Sequence, residues 1–217
     1  MIRHTQNSNL TLHYQPTYQD LAVQTARGPL VAEYLNRLKQ VIALSLQQYA
    51  RVFAFRFDLR FPINQYRPFS DNNEVIERFF ASFKAKIRHN RDKAIENNRY
   101  AHDTVVRFVW CRELGQHGIP HYHLAILLNH DAFCTLGQFE MGRQNLFNRL
   151  HQAWASALGI SVEEVVGLVE LPNAPFYVLR RECPESVADF FYRASYLCKA
   201  DTKHYANGVH GFGASRT

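Results

Sequence analysis

His121 and His123 head the segment HYHLAILL, two imidazoles one residue apart in a run that is otherwise apolar apart from Tyr122. Side chains alternate along a strand, so both histidines share a face with Ala125 and Leu127, while Tyr122, Leu124, Ile126 and Leu128 take the other. The preceding segment TVVRFVWCRE sets Val106, Phe108 and Trp110 on a buried face and leaves Arg107, Cys111 and Glu113 opposite. If the two strands close symmetrically about the turn LGQHGIP, Glu113 stands across from His121 and diagonal to His123. Two imidazoles and one carboxylate placed so could hold a divalent ion, with positions left open for water or substrate. Nitrogen and oxygen donors suit manganese or magnesium, and also zinc or iron. His117, in the turn, is an alternative third ligand. By itself, the HxH pair is also what ordinary polar residues on an exposed sheet face would look like.

A second constellation gives such an ion a purpose. In PESVADFFYRASYLCKAD, Tyr192, Tyr196 and Lys199 stand at i, i+4 and i+7, on one face of a helix, beside an apolar stripe of Val187, Phe190, Phe191, Ala194 and Leu197. Alone, this describes two tyrosines at a core margin and a solvated lysine. Set over a metal-bearing sheet, it describes phosphodiester cleavage: the ion polarises the phosphate and a phenol attacks phosphorus. A phenol, with its ordinary pKa near 10, needs a lysine and the ion beside it to react at neutral pH.

The elements that must position these residues can be read from periodicity. Apolar residues from Leu30 to Ile42 keep a helical repeat that runs to about Gln48. RVFAFRFDLRF then alternates Phe53, Phe55, Phe57, Leu59 and Phe61 with Arg56, Asp58 and Arg60, a half-buried strand with a charged outer face. A second helix opens at Asp71, with Glu74 in capping-box spacing, and buries Val75, Ile76, Phe79, Phe80, Phe83 and Ile87. Its basic run KAKIRHNRDK reads as a solvated face in preference to a phosphate-binding patch. After the hairpin, GRQNLFNRLHQAWASALG is a helix that stops at Gly159, short strands follow near 167–171 and 176–179, and a last helix starts near Pro184. The order βαββαβ plus helix predicts a single α+β domain. Its sheet is antiparallel in ferredoxin/RRM-like order, with the crossover helices on one face and the tyrosine helix free to cross the other. Residues 1–27, polar and weakly patterned, read as an N-terminal arm, and 28–217 as the domain.

Bulk properties bear on partners and compartment more than on fold. Lys and Arg number 25 against 19 Asp and Glu, for a net charge of +6 and a pI near 9.2, which favours a polyanionic partner. The four cysteines form no CxxC pair and show no zinc-finger spacing, as expected of reduced intracellular thiols. No apolar run approaches the roughly 20 residues that span a bilayer, so a cytoplasmic protein without a membrane partner is expected. A Walker A motif is missing, which leaves DNA unwinding to a partner.

HYH resembles the His-hydrophobic-His motif of the HUH endonucleases, and YRASYLCK matches the YxxxYxxK of their two-tyrosine subgroup. FAFRFDLRF sits where that superfamily's first motif lies. FVWCRELGQHGIPHYHLAILLN, together with the closing GFGASR, is similar to the inovirus-type replication proteins, found in prophages as the YagK/YfjJ C-terminal domain family; the resemblance runs from about residue 28 to the end. It implies that His121 and His123 are metal ligands, that Tyr192 and Tyr196 are nucleophile candidates and that Lys199 assists; Glu113 rests on the hairpin geometry. The implied activity is Mn2+- or Mg2+-dependent nicking of single-stranded or melted origin DNA. A 5′-phosphotyrosyl protein and a primer 3′-hydroxyl would result, starting rolling-circle replication of a phage or prophage element with a host helicase and DNA polymerase. Arg56, Arg60 and Arg107 are candidate DNA contacts. Two other readings stay open. A conjugative-type relaxase would use Tyr14 or Tyr18, against which the YxxxYxxK order argues. A non-catalytic single-strand binder would use an open RRM-like sheet face, on which this chain lacks clustered aromatics.

Overall fold

The computed structural model describes residues 2–62, 73–115, 118–200 and 210–216. In chain order the strands and helices are β1 (Ile2–His4), β2 (Asn7–His13), β3 (Thr17–Tyr18), β4 (Leu21–Ala22), β5 (Leu30–Val31), α1 (Ala32–Gln48), β6 (Arg51–Arg60) and α2 (Glu74–Asn97). There follow β7 (Arg107–Leu114), β8 (Pro120–Asn129), α3 (Leu146–Leu158), β9 (Val169–Glu170), β10 (Phe176–Arg180), α4 (Pro184–Ser195) and β11 (Phe212–Ala214). The main sheet runs β10–β6–β8–β7–β11, antiparallel throughout, with β9 also paired to β6. This is the α+β, ferredoxin-like arrangement that the element order predicts.

One face of the sheet is closed by the two crossover helices. Phe53, Phe55, Phe57 and Leu59 of β6 meet Phe79 and Phe83 of α2 and Leu150 and Trp154 of α3, all buried. Each such side chain contributes about 1.5–3 kcal/mol by leaving water. The Trp154 indole N–H donates to the Arg60 carbonyl at 2.8 Å, so its one polar atom is satisfied inside the core. The capping box expected between Asp71 and Glu74 lies outside the described residues.

The other face differs from the sequence expectation. Two helices cover it, since α1 joins α4, and Val52, Ala54, Val109, Ala125 and Leu127 pack against Leu35, Leu38, Phe190 and Phe191. The amphipathic stripe of α1 needs a surface to bury, and this is the one that the crossover helices leave free. Arg56 and Arg107, expected to face outward, are consequently only 3% and 7% exposed. Among the described residues no open RRM-like face remains. No helix among them is long and apolar enough to cross a membrane.

The N-terminal residues tie into the same layer. β1, β2 and β5 form a small antiparallel sheet, and the Thr11 N–H donates to Glu33 Oε2 at 2.8 Å. Gln24 clasps the end of α4. Its backbone N–H donates to Ser195 Oγ at 2.9 Å, and its side-chain amide donates to the carbonyls of Tyr192 and Arg193 at 2.9 and 3.1 Å. These are last-turn carbonyls that an α-helix cannot satisfy itself. At the opposite edge β11 explains part of GFGASR: a Cβ on Gly213 would lie 2.5 Å from the Trp110 indole, so only glycine fits between β11 and that ring.

Candidate active site

The hairpin converts sequence spacing into a cluster. Glu113 pairs with His121, and Cys111 with His123, across β7 and β8. The donor atoms of Glu113, His121 and His123 therefore lie within 4.8 Å of one another. Glu113 Oε2 stands 3.3 Å from His123 Nε2 and 3.8 Å from His121 Nε2. Two imidazoles and a carboxylate fit a divalent ion, and His121, less buried than its partners, borders solvent. His117, the alternative third ligand, lies outside the described residues.

Strand β6 supplies a residue that sequence reasoning leaves without a role. Asp58 pairs with His123 across β6 and β8, and His123 Nδ1 donates to Asp58 Oδ1 at 2.6 Å. That bond fixes the ring and turns Nε2 toward Glu113, as outer carboxylates do for metal-binding histidines. The signal is present in the sequence, because ferredoxin-like order sets β6 beside β8 and brings the charged face of one against the HxH face of the other.

The tyrosine segment arrives from the covering layer. Here α4 ends at Ser195, Tyr196–Cys198 tighten into a 3-10 turn, and Lys199 is extended, with ψ of 143°. A continuous helix through Lys199, as the i, i+4, i+7 spacing predicts, is thus corrected. The chain is drawn out where Lys199 bridges Leu30 and the Ala200 N–H donates to the Pro29 carbonyl at 3.0 Å. The three side chains do not share an α-helical face, yet Lys199 still reaches Tyr196. Its Nζ lies 4.0 Å from the Tyr196 ring centroid and 3.2 Å from Glu113 Oε1. The Tyr196 ring stands edge-on to His123, 5.4 Å between centroids at 87°.

Arg56, expected to contact DNA, instead sits beneath this ring, with Cζ 5.4 Å from its centroid and Nη2 4.0 Å from Asp58 Oδ1. Of the three arginines Arg60 alone has a largely exposed side chain, and its Nε donates to Glu170 Oε2 at 2.5 Å. Tyr192 is 47% exposed, one turn before Tyr196. Tyr14 is exposed, while Tyr18 packs against the α1/α4 layer, where burial, then Glu33 and Cys198, push its phenol pKa up.

Residues 14–215 match the YagK/YfjJ C-terminal domain family. The chain belongs to that family. It is 34% identical to the uncharacterized protein YfjJ of Escherichia coli K12 over 202 residues, covering 87% of this chain and 96% of YfjJ. It is 27% identical to YagK of the same strain over 207 residues, covering 89% of this chain and 97% of YagK. Among solved structures, the N-terminal nuclease domain of Minute virus of mice non-structural protein-1 aligns with a TM-score of 0.25 and 10% identity, over 84% of this chain and 78% of that domain. A likeness so weak carries no weight for fold or chemistry.

In this YagK/YfjJ family member the two histidines of the cluster are shifted in opposite directions. Burial alone would lower the His123 pKa, but hydrogen bonds to Asp58 and Glu113 outweigh it and hold the ring above the ordinary histidine value. His121 goes the other way, lowered by burial and by His123. Both ring nitrogens of His123 face carboxylates, which favour its protonated form. An ion that takes His123 as a ligand must displace that proton, so Mn2+ affinity should rise with pH through the raised His123 pKa. About one proton per ion should be released, measurable by calorimetry in buffers of different ionisation enthalpy. A flat profile would remove His123 from the ligand set. Asp58→Asn should weaken Mn2+ binding by about 10–100-fold and move the pH dependence to lower pH, because the carboxylate that favours imidazolium is gone.

Proposed function

We propose that this chain is a metal-dependent endonuclease of the HUH type, which cuts single-stranded or melted origin DNA through Tyr196 to start rolling-circle replication of a phage or prophage element. The observation that carries the reading is the contact of Tyr196 with both halves of the cluster: its ring meets His123, and Lys199 joins it to Glu113.

Glu113, His121 and His123 would hold the ion, Mn2+ or Mg2+ by expectation. When bound, it supplies polarisation of the scissile phosphate and stabilises the negative charge that develops there. Burial would lower the Lys199 pKa, but the hydrogen bond to Tyr196 and the Glu113 carboxylate carry it above the usual lysine value. Lys199 is therefore a standing cation and not a proton acceptor. Together with Arg56 it offsets negative charge on the Tyr196 oxygen as that oxygen attacks. The Tyr196 Oη–P bond forms, the bond from phosphorus to the 3′ oxygen breaks, and the electron pair leaves on that oxygen, which takes up a proton; the phenol proton passes to solvent. A phosphotyrosyl linkage keeps the energy of the broken phosphodiester, so a later 3′-hydroxyl can reverse the step without ATP. Tyr192, one turn away, is the second nucleophile of a full round.

The test needs no known origin. The protein is incubated with a randomised single-stranded DNA library, with Mn2+ or with chelator. A denaturation-resistant, slower-migrating protein band only with metal is expected. Salt-sensitive binding without any such band would favour the non-catalytic binder.

A further inference from the structure

The basic run of α2 has two flanks that differ in kind. On one, a groove of about 700 Å3 gathers Lys84, Arg88, Arg91 and Arg216 together with Asp92 and Asp103, so two carboxylates partly offset its cations. On the other, where α2 lies beside α3, a groove of about 770 Å3 is lined by Lys86, His89, Lys93, Gln144, Arg149 and Gln152 among others, with no carboxylate among the described residues that line it. Lys86, His89 and Lys93 recur at helical spacing, so they form one row about 10 Å long.

Arg149 forms the opposite wall. It is 9% exposed, burial and then the like charge of Arg91 push its pKa down, and no ion pair satisfies it among the described residues. A nearly buried guanidinium with no carboxylate partner costs free energy unless an anion completes it. Glutamine amides at Gln144 and Gln152 add neutral hydrogen-bond donors beside the cations. Planar guanidinium plus amides and ammonium groups is the donor set that phosphate oxygens accept.

We infer that the α2/α3 groove binds the phosphate backbone of DNA, at a place separate from the bond that is cut. The main sheet lies between them: α2 and α3 pack on the face of Phe55 and Phe57, whereas Tyr196 and Lys199 belong to the α1/α4 layer. A row of about 10 Å matches roughly three phosphates at 3.4 Å of axial rise along one strand. Such contacts position DNA without reading its sequence, so the groove would hold flanking DNA and not select the origin. The inference rests on the reading of the chain as a DNA-acting protein.

Fluorescence anisotropy with a labelled duplex of arbitrary sequence, measured over a series of salt concentrations, tests it. Lys86→Gln/Lys93→Gln changes exposed or half-buried side chains and should leave thermal unfolding and Mn2+ binding as in wild type. Its affinity at low salt should fall by about tenfold or more, and the slope of log K against log salt should lessen by about 2, one for each phosphate left without its lysine. Arg149→Lys, which keeps the charge but removes the planar fork, should weaken binding with the slope nearly unchanged. Unchanged affinity and slope in the double variant would overturn the inference. Loss of inorganic phosphate binding with unchanged DNA affinity would also overturn it, and would mark a free-anion site. A variant series that behaves as expected in a protein that never forms a covalent adduct would sink the proposed cleavage and leave the groove standing.

Discussion

Tyr196→Phe is expected to abolish the covalent protein–DNA adduct while leaving fold, metal affinity and DNA binding close to wild type. The substitution removes one oxygen and keeps the ring, so the edge-on contact with His123 and the cation contacts with Lys199 and Arg56 can persist. What disappears is the oxygen proposed to attack phosphorus in the first cut. Tyr192→Phe should leave the first adduct largely intact and impair the second cut and circle closure. Tyr192 is half exposed and one turn removed, whereas Tyr196 is the tyrosine in contact with His123. Denaturing gels before and after nuclease digestion report the adduct in each variant.

The second large effect belongs to the proposed ligands. His121→Ala should remove one of three donors and weaken divalent-ion binding by more than the about 10–100-fold typical of an outer partner, with cleavage abolished in parallel. This position is the cleanest test because its side chain is 20% exposed and stands outside the apolar core. Glu113→Ala is a poorer choice. It leaves Lys199, 5% exposed, as a buried cation without the carboxylate 3.2 Å away, and breaking such a pair costs about 3–5 kcal/mol. A fall in activity there would mix metal loss with instability. Glu113→Gln keeps volume and a neutral acceptor and should weaken the ion less. Calorimetric Mn2+ titration with parallel thermal unfolding separates the two effects.

Why some of this is legible in the sequence and some is not follows from the range of each interaction. The pairing of Glu113 with His121 is local: turn length and strand alternation set it, and counting outward from LGQHGIP is enough. The pairing of Asp58 with His123 joins residues 65 apart, and element order gives neighbouring strands without giving their register. Arg56 reads as outward-facing because its strand alternates cleanly; alternation distinguishes two faces but cannot say that α1 and α4 both need the second one. The break at Tyr196 is hidden for a related reason. Periodicity continues through Lys199, and what draws the chain out of the helix there is a distant bridge to Leu30. Strands in the first 27 residues are short, from two to seven residues, and mostly polar, too little for a period-2 signal.

Peptide mapping of the DNA-linked protein tests the central claim most directly. Wild-type protein is trapped with Mn2+ and the randomised single-stranded library, digested, and the nucleotide-bearing peptide sequenced by mass spectrometry. The modification should fall on Tyr196 and disappear in His121→Ala. A modification on Tyr14 or Tyr18, or an adduct that persists in His121→Ala, would contradict a site in which Tyr196 attacks beside a Glu113, His121 and His123 metal centre.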